Sequence, residues 1–399
     1  MRPTRQPGRF RLPPPSPEAA AHSARLARAI GAAIEAAGGA IPFERFMELA
    51  LYAPGLGYYV AGARKLGAAG DFVTAPELGG LFGRCLASQC AEVLARVDGD
   101  TVVEFGAGTG ALAADLLAGL AEEGRLPARY AVVEVSPELR ARQRETLGRR
   151  AGRLAERVVW WERLPEPGTV RGVVVANEVL DALPVHRFRI RAGAVRMLGV
   201  ACAGVGFRWV ELDPAPALER AVRALEAALG RPFPEGYTSE VCLRLGPWVA
   251  TVAGLLAAGA ALFIDYGHPR AEYYHPDRRD GTLMCHYRHR AHGEALARVG
   301  LQDITAHVDF TAVAEAAAGA GTEVLGYTTQ AWFLMGCGLE RHAAALAEAP
   351  APARWRLAQE IRTLTLPGEM GERFKAMAVG RALDGPLMGF ALRDQRHRL

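Results

Sequence analysis

From residue 101 onward, short apolar runs alternate with stretches of helical periodicity, a pattern satisfied by a parallel sheet wrapped in helices. TVVEF (101–105), YAVVEV (130–135), RVVWW (157–161), VRGVVVAN (170–177) and ALFIDY (261–266) read as strands. Helices are expected at 111–123, 137–150 and 247–258, and DITAHVDF (303–310) is expected as a further strand. Strands separated by helices are joined by right-handed crossovers, so the sheet is parallel and covered on both faces. The predicted fold class is therefore α/β.

The rest of the chain is organised around that sheet. About 80 residues separate the fourth and fifth strands. In them HRFRIRAGAVRMLGVA and GFRWVEL look like antiparallel strands and 216–229 like a helix, an inserted α/β segment at about 187–245. Residues 1–17 hold six prolines and no acid and read as a disordered Pro/Arg-rich arm. Residues 18–95 form an N-terminal helical segment, with helices over 18–37 and 41–52. There, Thr74 followed by Glu77 fits a capping box that opens a long helix. The core spans 96–310, and 311–399 is expected to be mostly helical (311–318, 328–342, 340–364, 370–382) with a final strand at 387–393.

The strongest chemical signal is Glu104-Phe105-Gly106-Ala107-Gly108-Thr109-Gly110, between the first strand and its helix. Glycines there allow a tight turn and close backbone approach by a ligand. A dinucleotide site needs GxGxxG with a pyrophosphate on the helix N-terminus. Here the spacing is GxGxG and Glu104 precedes it, a carboxylate that repels a pyrophosphate and suits a cationic amino-acid moiety. S-adenosylmethionine carries that moiety and no phosphate. Glu134, closing the second strand, is placed to accept both ribose hydroxyls. Exposed strand-end acids beside an ordinary turn are the plainer alternative.

Asparagine occurs once in the chain, at Asn177, where the fourth strand ends in Asn177-Glu178-Val179-Leu180-Asp181. Ligands of open α/β sheets bind at the C-terminal strand ends. Asn177, Glu178 and Asp181 should therefore face the ligand, and two carboxylates can grip a planar cation. A polar turn after a strand is the alternative. Asp265, Tyr266 and His268 end the fifth strand; His268 either shuttles a proton or caps a turn. His286, His289 and His292 read as a solvated basic loop rather than a metal site, and no metal is expected.

Composition narrows the partners. Of 47 Lys and Arg only two are lysines, Lys65 and Lys375. That skew fits a GC-rich genome better than a nucleic-acid footprint, and the net charge is only +4. The longest apolar run, 248–264, is broken by two glycines and is too short to span a bilayer. Six cysteines without a CxxC pair suggest free thiols in a reducing compartment. The expected location is the cytoplasm, or the mitochondrial matrix for a eukaryotic source.

These segments resemble the MidA family of class I S-adenosylmethionine-dependent methyltransferases, which includes a mitochondrial complex I assembly arginine methyltransferase. The resemblance is carried by GYYV and GAAGDFVTAPELGGLFG (57–83), EFGAGTGALAADLL (104–117), VEVSPELRARQ (133–143), ANEVLDALPVHRF (176–188), FIDYGH (263–268), QDITAHVDFTAVAE (302–315) and LPGEMGERFKAMAVG (366–380). It implies a Rossmann-like class I methyltransferase sheet with helical N- and C-terminal additions. It also implies N-methylation of a protein arginine, with a respiratory complex I subunit as one acceptor. S-adenosyl-L-methionine is the implied cofactor and S-adenosylhomocysteine the product. The matching residues imply a cofactor loop of Glu104, Gly106, Ala107, Gly108 and Gly110, with Glu134 at the ribose. Thr74, Pro76 and Glu77 would cover the cofactor, and Trp161 and Glu162 would flank the adenine. Val179 and Leu180 stand where the family more often has two phenylalanines, and 284–301 departs from its pattern, so the acceptor pocket is expected to differ.

Glu178 and Asp181 are the expected acceptor clamp, with Asn177 orienting cofactor or acceptor. Two other classes fit less well: a nucleic-acid N-methyltransferase, for which no base-flipping motif follows the fourth strand, and a non-catalytic cofactor-binding assembly factor. A homodimer is compatible with the sequence.

Overall fold

The structure, a computed structural model, describes residues 12–60, 74–346 and 350–399. The GAAGDF stretch, Lys65 and most of the N-terminal arm lie outside the described residues.

Seven strands build the main sheet: β1 (Thr101–Phe105), β2 (Arg129–Val133), β3 (Val158–Trp161), β4 (Val170–Asn177), β5 (Leu256–His268), β6 (Glu323–Thr329) and β7 (Phe374–Arg381). Their spatial order is 3-2-1-4-5-7-6. The first five pair in parallel. β7 runs antiparallel to both β5 and β6. A two-residue strand, Val308–Asp309, extends the C-terminal end of β5.

Alternation of side chains splits the core into two layers. Val102, Val173 and Val175 face the helices Leu81–Arg96 and Ala111–Glu122. Val103, Ala131 and Val174 face Leu245–Gly254 and Phe310–Gly319. In β4 only Arg171 is exposed, as a central strand buried on both faces requires.

The insertion and the N-terminal strand Ile41–Pro42 together form a five-stranded sheet in which Ile41–Pro42, Ala194–Ala203, His186–Arg191 and Thr238–Val241 are neighbours and Gly206–Leu212 pairs with Ala194–Ala203. Helix Pro216–Leu229 buries Leu218, Val222 and Leu225 beside Phe188 and Ile190. The N-terminal helices Pro17–Ala36 and Phe43–Tyr52 share a third core with this insertion. Within it the Phe43 ring lies 4.9 Å from Trp209 and the Phe46 ring 5.4 Å from Phe207. Arg244 pairs with both Glu44 and Glu48 and holds the second of these helices in place.

Several expectations are corrected. DITAHVDF is not one strand of the main sheet. Asp303–Thr305 pairs with Met284–Tyr287 in a small separate sheet, and Phe310 begins a helix. Residues 370–382 contain β7 rather than a long helix, and β6 has no counterpart among the expected strands. The segment 340–364 holds two helices, Leu339–Leu346 and Ala351–Thr365, and 387–393 contains a short helix, Met388–Ala391, in place of a strand. His286 and His292 lie on a hairpin whose turn residues Arg288 and His289 take positive φ. Among the described residues no helix is long and apolar enough to cross a membrane. No group of three or more His, Cys, Asp or Glu among them could hold a metal ion.

Candidate functional site

The C-terminal ends of β1, β2 and β4 open onto a cavity of about 470 Å3. That is the edge where parallel sheets bind ligands, and the size suits a cofactor-sized molecule.

The loop after β1 forms its floor. Gly106, Gly108 and Gly110 take φ of 67°, 51° and 84°, a left-handed backbone that glycine adopts without strain. Gly106, Ala107 and Gly108 line the cavity, whereas Gly110 caps helix Ala111–Glu122 just outside it. A Cβ on Gly106 would lie 2.6 Å from the Val179 side chain, so the loops after β1 and β4 touch.

Thr74, Pro76 and Glu77 also line the cavity. Thr74 precedes only a four-residue helix, Ala75–Leu78, and its side chain caps nothing. The Glu77 carboxylate instead accepts from the Thr109 hydroxyl at 2.5 Å, which fastens this short helix over the glycine loop. The long helix starts separately at Leu81 behind Gly79 and Gly80. The capping box is thus replaced by a longer-range contact.

Beyond β2, Glu134 accepts from the Ser136 N–H at 2.8 Å and from the Gln143 amide at 3.3 Å. Gln143, fully buried, also donates to the Gly108 carbonyl at 3.1 Å and accepts from the Trp160 indole at 2.8 Å. One side chain therefore fixes the strand-end acid relative to the glycine loop. The sequence motif contained Gln143 but gave it no role. Val135, 73% exposed, adds an apolar wall with Leu112 and Leu139. Trp161 and Glu162, expected beside the adenine, do not line the cavity. Trp161 packs against the sheet's second core layer, and Glu162 extends into solvent to pair with Arg140 at 2.7 Å.

Glu104 is 2% exposed, and its carboxylate accepts from the Tyr130 hydroxyl at 2.6 Å. Burial pushes its pKa up to about 7 against the lowering effect of that bond.

The loop after β4 carries the other acids. The Asp265 carboxylate, on β5, accepts the backbone N–H groups of Val179 (3.1 Å), Leu180 (2.8 Å) and Asp181 (3.2 Å). It thereby holds the turn that presents Glu178 at φ 53°, a left-handed conformation rare for a non-glycine residue. Burial, then the Asp265 charge, pushes the Glu178 pKa up to about 8, opposed by bonds from the Asn177 amide and the Ala75 N–H. Asp181, 4% exposed, is raised well above the usual carboxylate range by burial and by Asp265, Asp303 and Glu178. Asn177 donates to Glu178 at 3.2 Å, while its own buried Oδ1 has no partner among the described residues.

The structure thus brings Asn177, Glu178 and Asp181 into the same cavity as Glu104, Glu134 and the glycine loop. His268 is not brought there. Its ring lies 5.1 Å from His307, and its Nε2 is 3.3 Å from Arg278. Burial and those basic neighbours lower its pKa to about 3. Sequence reasoning also missed Tyr52, Tyr58, Tyr59, Trp248 and Asp303, all of which line the cavity.

A family model described as "Putative S-adenosyl-L-methionine-dependent methyltransferase" matches residues 85–328. The chain is 30% identical over 378 residues to the protein arginine methyltransferase NDUFAF7, mitochondrial, of Danio rerio, covering 86% of this chain and 83% of that protein. To the Homo sapiens protein of the same name it is 28% identical over 380 residues, covering 86% and 80%. A Burkholderia thailandensis protein solved bound to S-adenosyl-homocysteine superposes with a TM-score of 0.92 at 46% identity, over 98% of this chain and 100% of that one.

Proposed function

The chain belongs to the MidA family of S-adenosyl-L-methionine-dependent methyltransferases, and we propose that within it the chain N-methylates arginine on a protein acceptor. The observation that carries this reading is the cluster of carboxylates, half-buried Glu178 with buried Asp181 and Asp303, beside the glycine-loop cavity. The only basic side chain among the described lining residues is Arg142, on the helix that follows β2. Glu178 and Asp181 are crowded by other acids, and a cationic ligand would relieve that crowding. The arginine relatives named above support a guanidinium as that ligand. For the acceptor protein we carry over a respiratory complex I subunit from the family resemblance.

The cofactor supplies an electrophilic methyl group on a sulfonium. Gly106, Ala107 and Gly108 would hold its amino-acid end, with Glu104 facing the ammonium, and Glu134 would take the ribose hydroxyls. Thr74, Pro76 and Glu77 would cover it. The fit rests on the left-handed glycine cradle and on Glu134 being pre-oriented by Gln143.

A guanidinium is too basic to lose a proton before reaction. Glu178 and Asp181 orient it instead, and Glu178 takes the proton as the new N–C bond forms. Asn177 Oδ1, buried beside Glu178, accepts an N–H from cofactor or acceptor. Asp265 acts through the turn it holds and is a positioning residue. His268 is left out of this set, because it lies among Arg278 and His307 away from the cavity.

The test is to incubate the protein with methyl-labelled cofactor and lysate of the source organism, then sequence labelled bands by mass spectrometry. Labelled arginine is expected. Label on nucleic acid or on another residue type would overturn the arginine reading, and cofactor binding without any transfer would leave an assembly factor. Glu178→Gln should lower turnover by at least about a thousandfold with S-adenosylhomocysteine affinity within about twofold of the parent. Unchanged turnover would remove Glu178 from its role.

A further inference from the structure

The third glycine of the loop after β1, Gly110, does not line the cavity. What it makes room for is Gln143. A Cβ at Gly110 would stand 3.2 Å from the Gln143 Cα and 3.4 Å from its Cβ and Cγ. The left-handed φ of 84° is a second reason for glycine there. Helix Pro137–Arg150 is thereby seated against the loop, with Gln143 fully buried at the contact.

Three hydrogen bonds use up the Gln143 amide. Its N–H groups go to the Gly108 carbonyl at 3.1 Å and to Glu134 Oε2 at 3.3 Å, and its carbonyl accepts from the Trp160 indole at 2.8 Å. An indole only donates, whereas a carbonyl and a carboxylate only accept. All three partners therefore select one orientation of the amide. Trp160 is fixed in turn. It lies on β3 opposite Val132 of β2 and packs against the core layer that holds Leu112 and Leu147, with the Arg144 guanidinium 4.6 Å over its ring. Trp160 does not line the cavity. The Ser136 N–H, at the N-cap of helix Pro137–Arg150, meets the other Glu134 oxygen, Oε1, at 2.8 Å. Each oxygen of Glu134 thus has one lone pair taken by an N–H and a second to offer.

We infer that Trp160 and Gln143 are positioning residues for the cofactor. Trp160, from outside the cavity, aims the Gln143 amide, and Gln143 aims the Glu134 carboxylate so that its remaining lone pairs match two neighbouring hydroxyls. This rests on the reading that Glu134 takes the ribose. The tryptophan of β3 that serves the cofactor is then Trp160, acting at one remove, and not Trp161. Without the indole, the Gln143 carbonyl is left buried with no donor, which favours a swing of the side chain or entry of water. Either change loosens Glu134. A loosened carboxylate loses more on a diol than on a single hydroxyl, because both of its oxygens must be in place at once.

The experiment measures, by calorimetry, the affinities for S-adenosylhomocysteine and for its 2′-deoxyribose counterpart in the parent, Glu134→Ala, Gln143→Met and Trp160→Phe. The parent should prefer the ribose ligand by about thirtyfold or more, and Glu134→Ala by about threefold or less. Gln143→Met and Trp160→Phe should each bring the preference below about tenfold. Residues that merely support the fold would weaken both ligands by one factor and leave the ratio unchanged. A parent-like ratio in Gln143→Met or in Trp160→Phe, with the ratio lost in Glu134→Ala, would overturn the relay while leaving Glu134 at the ribose. A parent-like ratio in Glu134→Ala would overturn the ribose reading itself. Trp160→Phe keeps an aromatic ring on β3, so the test stands even where Gln143→Met does not fold.

Discussion

At the scale of single residues, the site is governed by acids kept away from water. Glu178, lifted to about 8, is protonated in much of the free protein at neutral pH. Its carboxylate is the form that clamps a guanidinium, so kcat/KM for the acceptor should fall as pH drops below about 8. A pH–rate profile from 6 to 9 checks this, and an acid limb below 6 would contradict it. A bound cation favours the carboxylate, so the limb in kcat should lie at lower pH than the limb in kcat/KM. Stability moves the other way. A carboxyl raised on folding favours the fold fully below its ordinary value near 4.5, and that contribution is lost as pH rises toward 8. Between those limits Glu178 becomes more useful and less stabilising with every unit of pH.

At the scale of elements, the contact between two loops is the critical join. Gly106 at φ 67° touches Val179, so Gly106→Ala adds both a left-handed strain of about 1–2 kcal/mol and a clash. We expect that loss in chemical denaturation together with weaker S-adenosylhomocysteine binding by calorimetry. Val179→Ala in the same chain should restore part of the binding, because it clears the clash and leaves the strain. The sequence made this join half visible. The loops after β1, β2 and β4 were readable because apolar strands ending in glycines or acids are local signals. β7 was not, because FKAMAVGR is apolar without alternation, and a buried strand then looks like a buried helix. Thr74 and Glu77 misled for the opposite reason: their spacing fits a local cap, but Thr109 claims the carboxylate from another element. Asp303 and Tyr59 are 244 residues apart, so no local pattern could pair them.

At the scale of the whole molecule, the two ends of the cavity depend on different cores. The glycine loop belongs to the sheet, whereas Tyr52 and Tyr59 belong with the N-terminal helices packed on the insertion. Phe46, fully buried there against Phe207, tests the separation. Phe46→Ala should cost about 3–5 kcal/mol in denaturation, and the acceptor KM should rise more than the S-adenosylhomocysteine Kd. Equal losses in both would mean that the two cores work as one. The left-handed turn at Glu178 carries a wider consequence. Glycine would sit there relaxed, with no crowded acid to shelter. Screening variants for heat resistance alone would therefore reward the loss of Glu178, and the most durable chain obtained that way would be a silent one.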